Sequence, residues 1–218
     1  MSRLQPLVCI DVGSSKIATL IVAPNQGADT VHVIGAATVE SRGIKKSQIV
    51  DIEEAIKAIT ESVESAERMA GMLVSQAYVN VSGSHIDSRN STGVVAVAQP
   101  EGEINEQDVA RVIEAARAVS LPAGQEIIHV LPRSYKVDAQ EGIKDPVGMS
   151  GVRLESAAHI ITGFSTAIKN LGKCITEIGV NVVGNVYSGL ASSESVLTDT
   201  EKELGAVLVD IGGGTTAI

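Results

Sequence analysis

The strongest constraint on this chain is a pattern that occurs twice. Leu7-Val8-Cys9-Ile10-Asp11-Val12-Gly13-Ser14-Ser15-Lys16 stands near the start, and Ala206-Val207-Leu208-Val209-Asp210-Ile211-Gly212-Gly213-Gly214-Thr215-Thr216 stands at the end. Each is a run of aliphatic residues that stops at an aspartate and gives way to glycines and hydroxyls. Glycine lets the main chain turn sharply and leaves amide hydrogens free to point at phosphate oxygens. With 21 glycines in the chain, composition alone yields about 0.2 Gly-Gly-Gly runs, and roughly 0.01 with an aspartate two residues upstream. Two such turns brought face to face read as a clamp for a nucleotide. The competing reading of the second turn is a flexible loop that binds nothing, and of the first an ordinary strand end.

A chain of 218 residues is long enough to bury a sizeable core. Its residues are 44% hydrophobic but only 2% aromatic, with no Trp and one Phe. The interior must therefore be packed with valine, isoleucine, leucine and alanine, which suits an α/β protein. The 26 acidic residues outnumber the 17 basic ones, for a net charge of −9, and no basic cluster interrupts them. Nucleic acid is therefore disfavoured as a main partner, and none is expected. No segment approaches the run of about 18 apolar residues that a membrane span needs, so a soluble chain without a cleaved secretion signal is expected. Cys9 and Cys174 stand in apolar surroundings without metal-ligand spacing and read as small core residues of a reduced compartment.

Along the chain, Lys16–Ala23 and Val31–Val39 read as strands that form an antiparallel meander with the first, joined at Pro24-Asn25-Gln26-Gly27. Asp51 stands as an N-cap with Glu54 three residues on, and apolar residues at helical spacing predict a helix over about 52–70. Ala77–Val81 gives a fourth strand. The texture then changes: Val94–Ala98 reads as a short strand, Asn105 caps a helix with the stripe Val109, Val112, Ile113 and Ala116, and Glu126–Leu131, Ser134–Asp138 and Arg153–Ile161 read as strands around a long loop at Gly142–Gly151. A helix capped by Ser165 and closed by Gly179, a strand at Val180–Val186, a helix at Gly189–Leu197 and a final strand from Ala206 complete the reading.

That order resembles the actin-like ATPase superfamily. Ser41-Arg42-Gly43-Ile44, the stretch from Gln140 to Leu154, the run Ser188-Gly189-Leu190-Ala191-Ser192-Ser193, and Leu204-Gly205 before the second turn together resemble the FtsA family of bacterial cell-division proteins. The resemblance implies an α/β actin-like (ribonuclease H-like) ATPase fold with an inserted small α+β subdomain and a truncated second half. Residues 1–83 and 163–197 would form the first actin-like subdomain, 84–162 the inserted interaction subdomain, and 198–218 the start of the second half. It implies a protein that binds ATP and Mg²⁺, polymerises with itself, and tethers FtsZ to the inner membrane through a C-terminal helix that this chain does not include. Later divisome proteins would be met through residues 84–162. Location would be the bacterial cytoplasm, on the cytoplasmic face of the inner membrane at the division site, and activity at most that of a slow ATPase. The alternative within the same superfamily is a chaperone or a sugar-kinase-like phosphotransferase, and a third reading is a structural protein whose clamp has lost its nucleotide.

The chemistry of the clamp follows from its residues. Asp11 and Asp210 facing each other at a few ångströms repel by roughly 4 kcal/mol at an effective dielectric near 20. A divalent cation removes that cost, and Mg²⁺, which keeps several waters, would be held by both aspartates through water. Gly13, Ser14 and Ser15 offer amides and hydroxyls to the terminal phosphates, and Gly212, Gly213, Gly214 and Thr215 do so from the other side. Lys16 can reach the phosphates as a point charge, or is a solvated lysine at a strand start; Asp11 can instead be a turn-capping residue. His32, His85, His129 and His159 lack metal spacing and read as structural, and Arg133, Lys136, Lys144 and Arg153 as a solvated face. No nucleophile with a neighbouring base is apparent, so no catalytic residue is assigned.

Overall fold

The aliphatic runs become strands and the amphipathic stretches become helices laid on them. The computed structural model describes residues 5–25, 30–98 and 102–218; Gln26 and Gly27 of the expected first turn lie outside the described residues. In chain order the elements are β1 (Leu7–Val12), β2 (Lys16–Pro24), β3 (Val31–Glu40), β4 (Ile44–Lys45), β5 (Gln48–Ile49), α1 (Ile52–Ala70), β6 (Gln76–Val81), β7 (Ile86–Ala96), α2 (Glu106–Arg117), β8 (Gln125–Val137), β9 (Gln140–Ile143), β10 (Arg153–Phe164), α3 (Ser165–Glu177), β11 (Asn181–Tyr187), α4 (Ser188–Val196), α5 (Asp199–Leu204), β12 (Asp210–Ile211) and β13 (Thr216–Ala217). They form two units: one made of the segments up to His85 and from Ser165, the other of Ile86–Phe164.

The first unit is built on a five-stranded sheet ordered β11-β6-β1-β2-β3. The pairs β1–β2 and β2–β3 are antiparallel, whereas β1–β6 and β6–β11 are parallel. Alternation along β1 sends Val8, Ile10 and Val12 to one face, where they meet Ala55, Ala58, Ile59, Val63 and Ala66 of α1 and Cys174 and Ile175 of α3. A buried hydrogen bond of 2.8 Å between the Thr19 and Ser62 hydroxyls ties β2 to α1. Asp51 caps α1 as its position suggests, its Oδ1 accepting from the Glu54 amide at 3.1 Å. The same alternation places Cys9 on the opposite, exposed face. The expectation of a core Cys9 is therefore corrected, while Cys174 is fully buried.

The second unit is a four-stranded sheet ordered β7-β10-β8-β9 with α2 against it. Asn105 and Asp108 form a reciprocal capping box at the start of α2, and Ile104, Val112, Val137, Ile143 and Leu154 make its core. Three strand expectations change here because pairing partners, not local composition, set strand length. The short strand at Val94–Ala98 is the end of a longer one that begins at Ile86, since β10 pairs with it from Arg153↔Ala96 to Gly163↔Ile86. The separate strands at Glu126–Leu131 and Ser134–Asp138 are one strand: pairing passes from Pro132↔Ala158 to Ser134↔Ala157, with Arg133 as a bulge. The loop expected at Gly142–Gly151 is shorter, because Gln140–Ile143 pairs back on β8 and the Asp138 carboxylate gathers the Val152 and Arg153 amides.

Beyond Phe164, Ser165 is the first residue of α3 rather than its cap, because β10 runs directly into the helix. Gly179 ends that segment at φ 81, as its position after the helix suggests. Thr198 and Glu201 form a capping box that starts α5, a helix missed in the sequence although the Thr-x-x-Glu signature is present. The final strand is confined to Asp210–Ile211, against an expectation of Ala206–Ile211. Among the described residues no strand pairs with 206–209, so their main-chain groups have no ladder to join, and Val207 and Ile211 are each 79% exposed.

Candidate functional site

The two aspartate turns have the same backbone construction. In the first, Asp11 pairs with Ala18 and Val12 with Ile17; in the second, Asp210 pairs with Ala217 and Ile211 with Thr216. Each loop is closed by the same bond, from the Gly13 amide to the Lys16 carbonyl at 3.0 Å and from the Gly212 amide to the Thr215 carbonyl at 2.9 Å. The two hairpins thus share one register, residue for residue, although they lie at opposite ends of the sequence.

They meet. A Cβ at Gly213 would lie 2.6 Å from the Ser15 Cβ, and one at Gly214 would lie 2.6 Å from the Ser14 Oγ. Only glycine permits that approach. Both turns line one cavity of about 440 Å³, and all ten residues singled out in the sequence are on its wall: Asp11, Gly13, Ser14, Ser15, Lys16, Asp210, Gly212, Gly213, Gly214 and Thr215. Ser47, Asn80, Ser82 and Ser188 line it as well. These were not legible in the sequence because they arrive from three separate stretches of the chain, and an isolated serine or asparagine carries no spacing signal.

Ser47 comes from the two-residue turn between β4 and β5. Lys46 and Ser47 both adopt positive φ, 49° and 58°, the conformation that the tightest hairpin connection demands of its two central residues. The turn brings the Ser47 amide to within 2.8 Å of the Ser14 Oγ, and its hydroxyl to 3.2 Å from the Thr215 Oγ1. One residue therefore touches both hairpins.

Asp11, Asn80 and Ser188 stand at or just beyond the carboxyl ends of the adjacent parallel strands β1, β6 and β11, the edge where open α/β sheets place their ligands. The Asn80 Nδ2 donates to the Asp11 Oδ1 at 2.6 Å. Burial pushes the Asp11 carboxyl above its ordinary value; the Asn80 hydrogen bond and the Lys16 charge act against that rise, and the Asp210 charge adds to it. A carboxylate whose pKa is raised by folding destabilises the fold progressively as pH rises from its unfolded-state value, and fully above the raised one. Replacing Asp11 with asparagine is therefore expected to raise the thermal midpoint of the ligand-free chain at pH 7. The gain should shrink as pH falls through the range in which Asp11 takes up its proton, read by thermal melts from pH 3 to 8.

The donors on this wall are carboxylates, hydroxyls, amides and one ammonium, a set suited to phosphate oxygens and to a hydrated hard cation. Among the described residues no three His, Cys, Asp or Glu side chains gather as a metal cage. Any cation here would therefore share its shell among the two aspartates, water and ligand oxygens. Of the histidines, His159 bonds Asn90 at 2.9 Å, His32 is exposed and His85 is buried.

Comparison with known proteins adds the lineage. Residues 83–162 match the family model described as the SHS2 domain inserted in FTSA. The cell division protein FtsA of Pseudomonas aeruginosa PAO1 is 43% identical over 212 residues, which are 97% of this chain and 50% of that protein. FtsA of Bacillus subtilis 168 is 39% identical over 218 residues, 100% of this chain and 49% of that protein. The chain is a relative of the FtsA cell-division proteins. It spans about half the length of the FtsA proteins it matches. Among solved structures, a chain of the PilM-PilN type IV pilus biogenesis complex superposes with a TM-score of 0.59 at 13% identity, covering 88% of this chain and 50% of that one, a likeness of fold alone. The FtsA-related chain has the actin-like ATPase fold, mixed α/β with an SHS2 domain inserted. Among its described residues no helix is long and apolar enough to cross a membrane.

Proposed function

We propose that this chain supplies the phosphate- and cation-binding part of a nucleotide-gated cell-division scaffold. The observation that carries this reading is the pair of like-built aspartate hairpins meeting at one cavity with every expected donor on its wall. ATP lies with its terminal phosphates between the turns, held by the amides and hydroxyls of residues 13–15 and 212–215, with Lys16 as a point charge. Asp11 and Asp210 would hold Mg²⁺ through water, and the cation would supply the charge that offsets the two carboxylates and the phosphates.

The cell-division role rests on the relatives named above. On this reading, which goes beyond the relatives' names, the complete protein polymerises, links FtsZ to the cytoplasmic face of the inner membrane, and recruits later divisome proteins. Residues 84–162 serve as the partner-facing subdomain, 1–83 with 163–197 as the first actin-like subdomain, and 198–218 as the opening of the second. Hydrolysis, where it occurs, is slow, as suits a protein that acts chiefly as a scaffold. The test is equilibrium binding of a fluorescent ATP analogue to this chain, with and without Mg²⁺. Saturable binding competed by unlabelled ATP is expected, and no binding in either condition defeats the reading.

A further inference from the structure

The segment 41–51 braces both aspartate hairpins, although it belongs to neither. The Ser41 hydroxyl donates to the Gly13 carbonyl at 2.7 Å, and its amide donates to the Ser15 carbonyl at 3.1 Å. The Ser47 amide donates to the Ser14 Oγ at 2.8 Å, and its hydroxyl lies 3.2 Å from the Thr215 Oγ1. The brace is itself anchored. Ile44 is buried in the core that holds Ala55 and Ile59 of α1, and the Gly43 carbonyl accepts from the Val50 and Asp51 amides at 2.8 and 3.1 Å. The β4–β5 hairpin is thereby fixed to the start of the helix. Ser47 stands at φ 58°, a conformation that glycine takes without strain and serine does not. The turn alone gives no reason for a side chain there, so the hydroxyl has to be accounted for by what it touches.

A hydroxyl has one proton and two lone pairs. Ser14 spends a lone pair on the Ser47 amide and keeps its proton for another acceptor. In the Ser47–Thr215 pair one hydroxyl donates to the other, which leaves one proton over. All three side chains line the cavity of about 440 Å³. Two spare hydroxyl protons therefore stand where the hairpins meet, and an oxygen anion that accepts from both spans the junction. We propose that Ser47 is a positioning residue: it clasps the two hairpins at their working separation and presets the Ser14 and Thr215 hydroxyls as donors to a bound polyphosphate. The inference rests on the phosphate half of the nucleotide reading. It adds the residue that holds the two turns in register with one another.

The experiment is calorimetric titration of tripolyphosphate, with Mg²⁺ in excess, into the unaltered chain, Ser47→Gly, Thr215→Val and the double variant. Ser47→Gly keeps the amide that holds Ser14 and removes only the hydroxyl. It should weaken tripolyphosphate binding about tenfold, as expected for a lost hydrogen bond to a charged acceptor. The ligand-free melting temperature should stay nearly unchanged, because relief at the positive φ offsets one part-buried hydrogen bond. Thr215→Val should also cost about tenfold, and the double variant should bind no more than about twofold more weakly than Thr215→Val alone, since Ser47 acts through Thr215. A serine that merely completes its turn would give a higher melting temperature and unchanged affinity when replaced by glycine, and that result overturns the proposal. So do effects that multiply in the double variant, or no tripolyphosphate binding by the unaltered chain. The expected pattern without ATP binding would remove the nucleotide reading and keep the clasp; ATP and tripolyphosphate binding indifferent to Ser47→Gly would do the reverse.

Discussion

Gly93→Ala is expected to unfold the Ile86–Phe164 unit under conditions in which the unaltered chain is folded. Gly93 sits on β7 directly beneath α2, and a Cβ there would lie 2.1 Å from the Val112 carbonyl oxygen and 2.5 Å from the Ala116 amide nitrogen. Those are backbone atoms of a helix, so no rotamer change relieves the clash. The helix has to lift, and lifting it exposes Val112 and Ala116, both fully buried, and opens the core around Ile104 and Leu154. Overpacking of this kind costs about 1–3 kcal/mol where side chains can adjust, and a backbone clash belongs at the top of that range or above it. Urea unfolding with hydrogen exchange read by segment is the measurement. Amides in β7, α2 and β10 should lose protection by at least about a hundredfold, equivalent to roughly 3 kcal/mol. Retention of full protection would show that the helix does not need that close approach.

Gly214→Val is expected to weaken ATP binding by about a hundredfold or more while leaving the melting temperature nearly unchanged. Its Cβ would fall 2.6 Å from the Ser14 Oγ, 2.8 Å from the Ser14 Cβ and 3.2 Å from the Lys46 amide nitrogen, so the second hairpin must draw away from the first. The turn is exposed and makes little core, which spares stability. Binding under the proposed reading depends on both turns converging on the same phosphates, and hydrogen bonds to a charged acceptor contribute about 1.5–3 kcal/mol each. Losing two of them amounts to about 3 kcal/mol or more. Anisotropy of a fluorescent ATP analogue, beside a thermal melt, separates the two effects. An affinity within fivefold of the unaltered chain would mean that the hairpins need not touch for the ligand to be held.

Stability and ligand binding pull in opposite directions at this site. Asp11 is a partly buried carboxylate beside a second acidic residue, and Ser188 and Asn80 keep unsatisfied oxygens in the interior. Each costs the ligand-free fold something that an apolar or neutral replacement would avoid. The expected gain from Asp11→Asn is one reading of that tension, and Ser188→Ala, which removes a buried hydroxyl without a partner, should likewise leave the melting temperature unchanged or raise it. Residues whose removal helps the empty protein are good candidates for serving a bound one.

The elements legible from sequence were those whose cause is local. Period-two burial along Leu7–Val12 and Gln76–Val81, the helical stripe after Asp51 and the cap at Asn105 are written in neighbouring residues, and the structure follows them nearly to the residue. The two aspartate turns were legible for the same reason, since glycines and hydroxyls after an aliphatic run are a local pattern. Strand lengths in the Ile86–Phe164 unit were not, because β10 decides how far β7 and β8 extend by pairing with them. Nor was the exposed side of Cys9, which depends on which face of the sheet the helices cover. The sequence determined the type of most segments and the make-up of the two aspartate turns. Tertiary structure alone decided that two hairpins of identical register, 199 positions apart as counted from Asp11 to Asp210, close on one cavity, and that Ser47, Asn80 with Ser82, and Ser188 arrive there from three separate stretches of the chain. Convergence of distant segments leaves no periodic trace along the chain, because it arises from how the sheet orders its strands and not from any residue's neighbours.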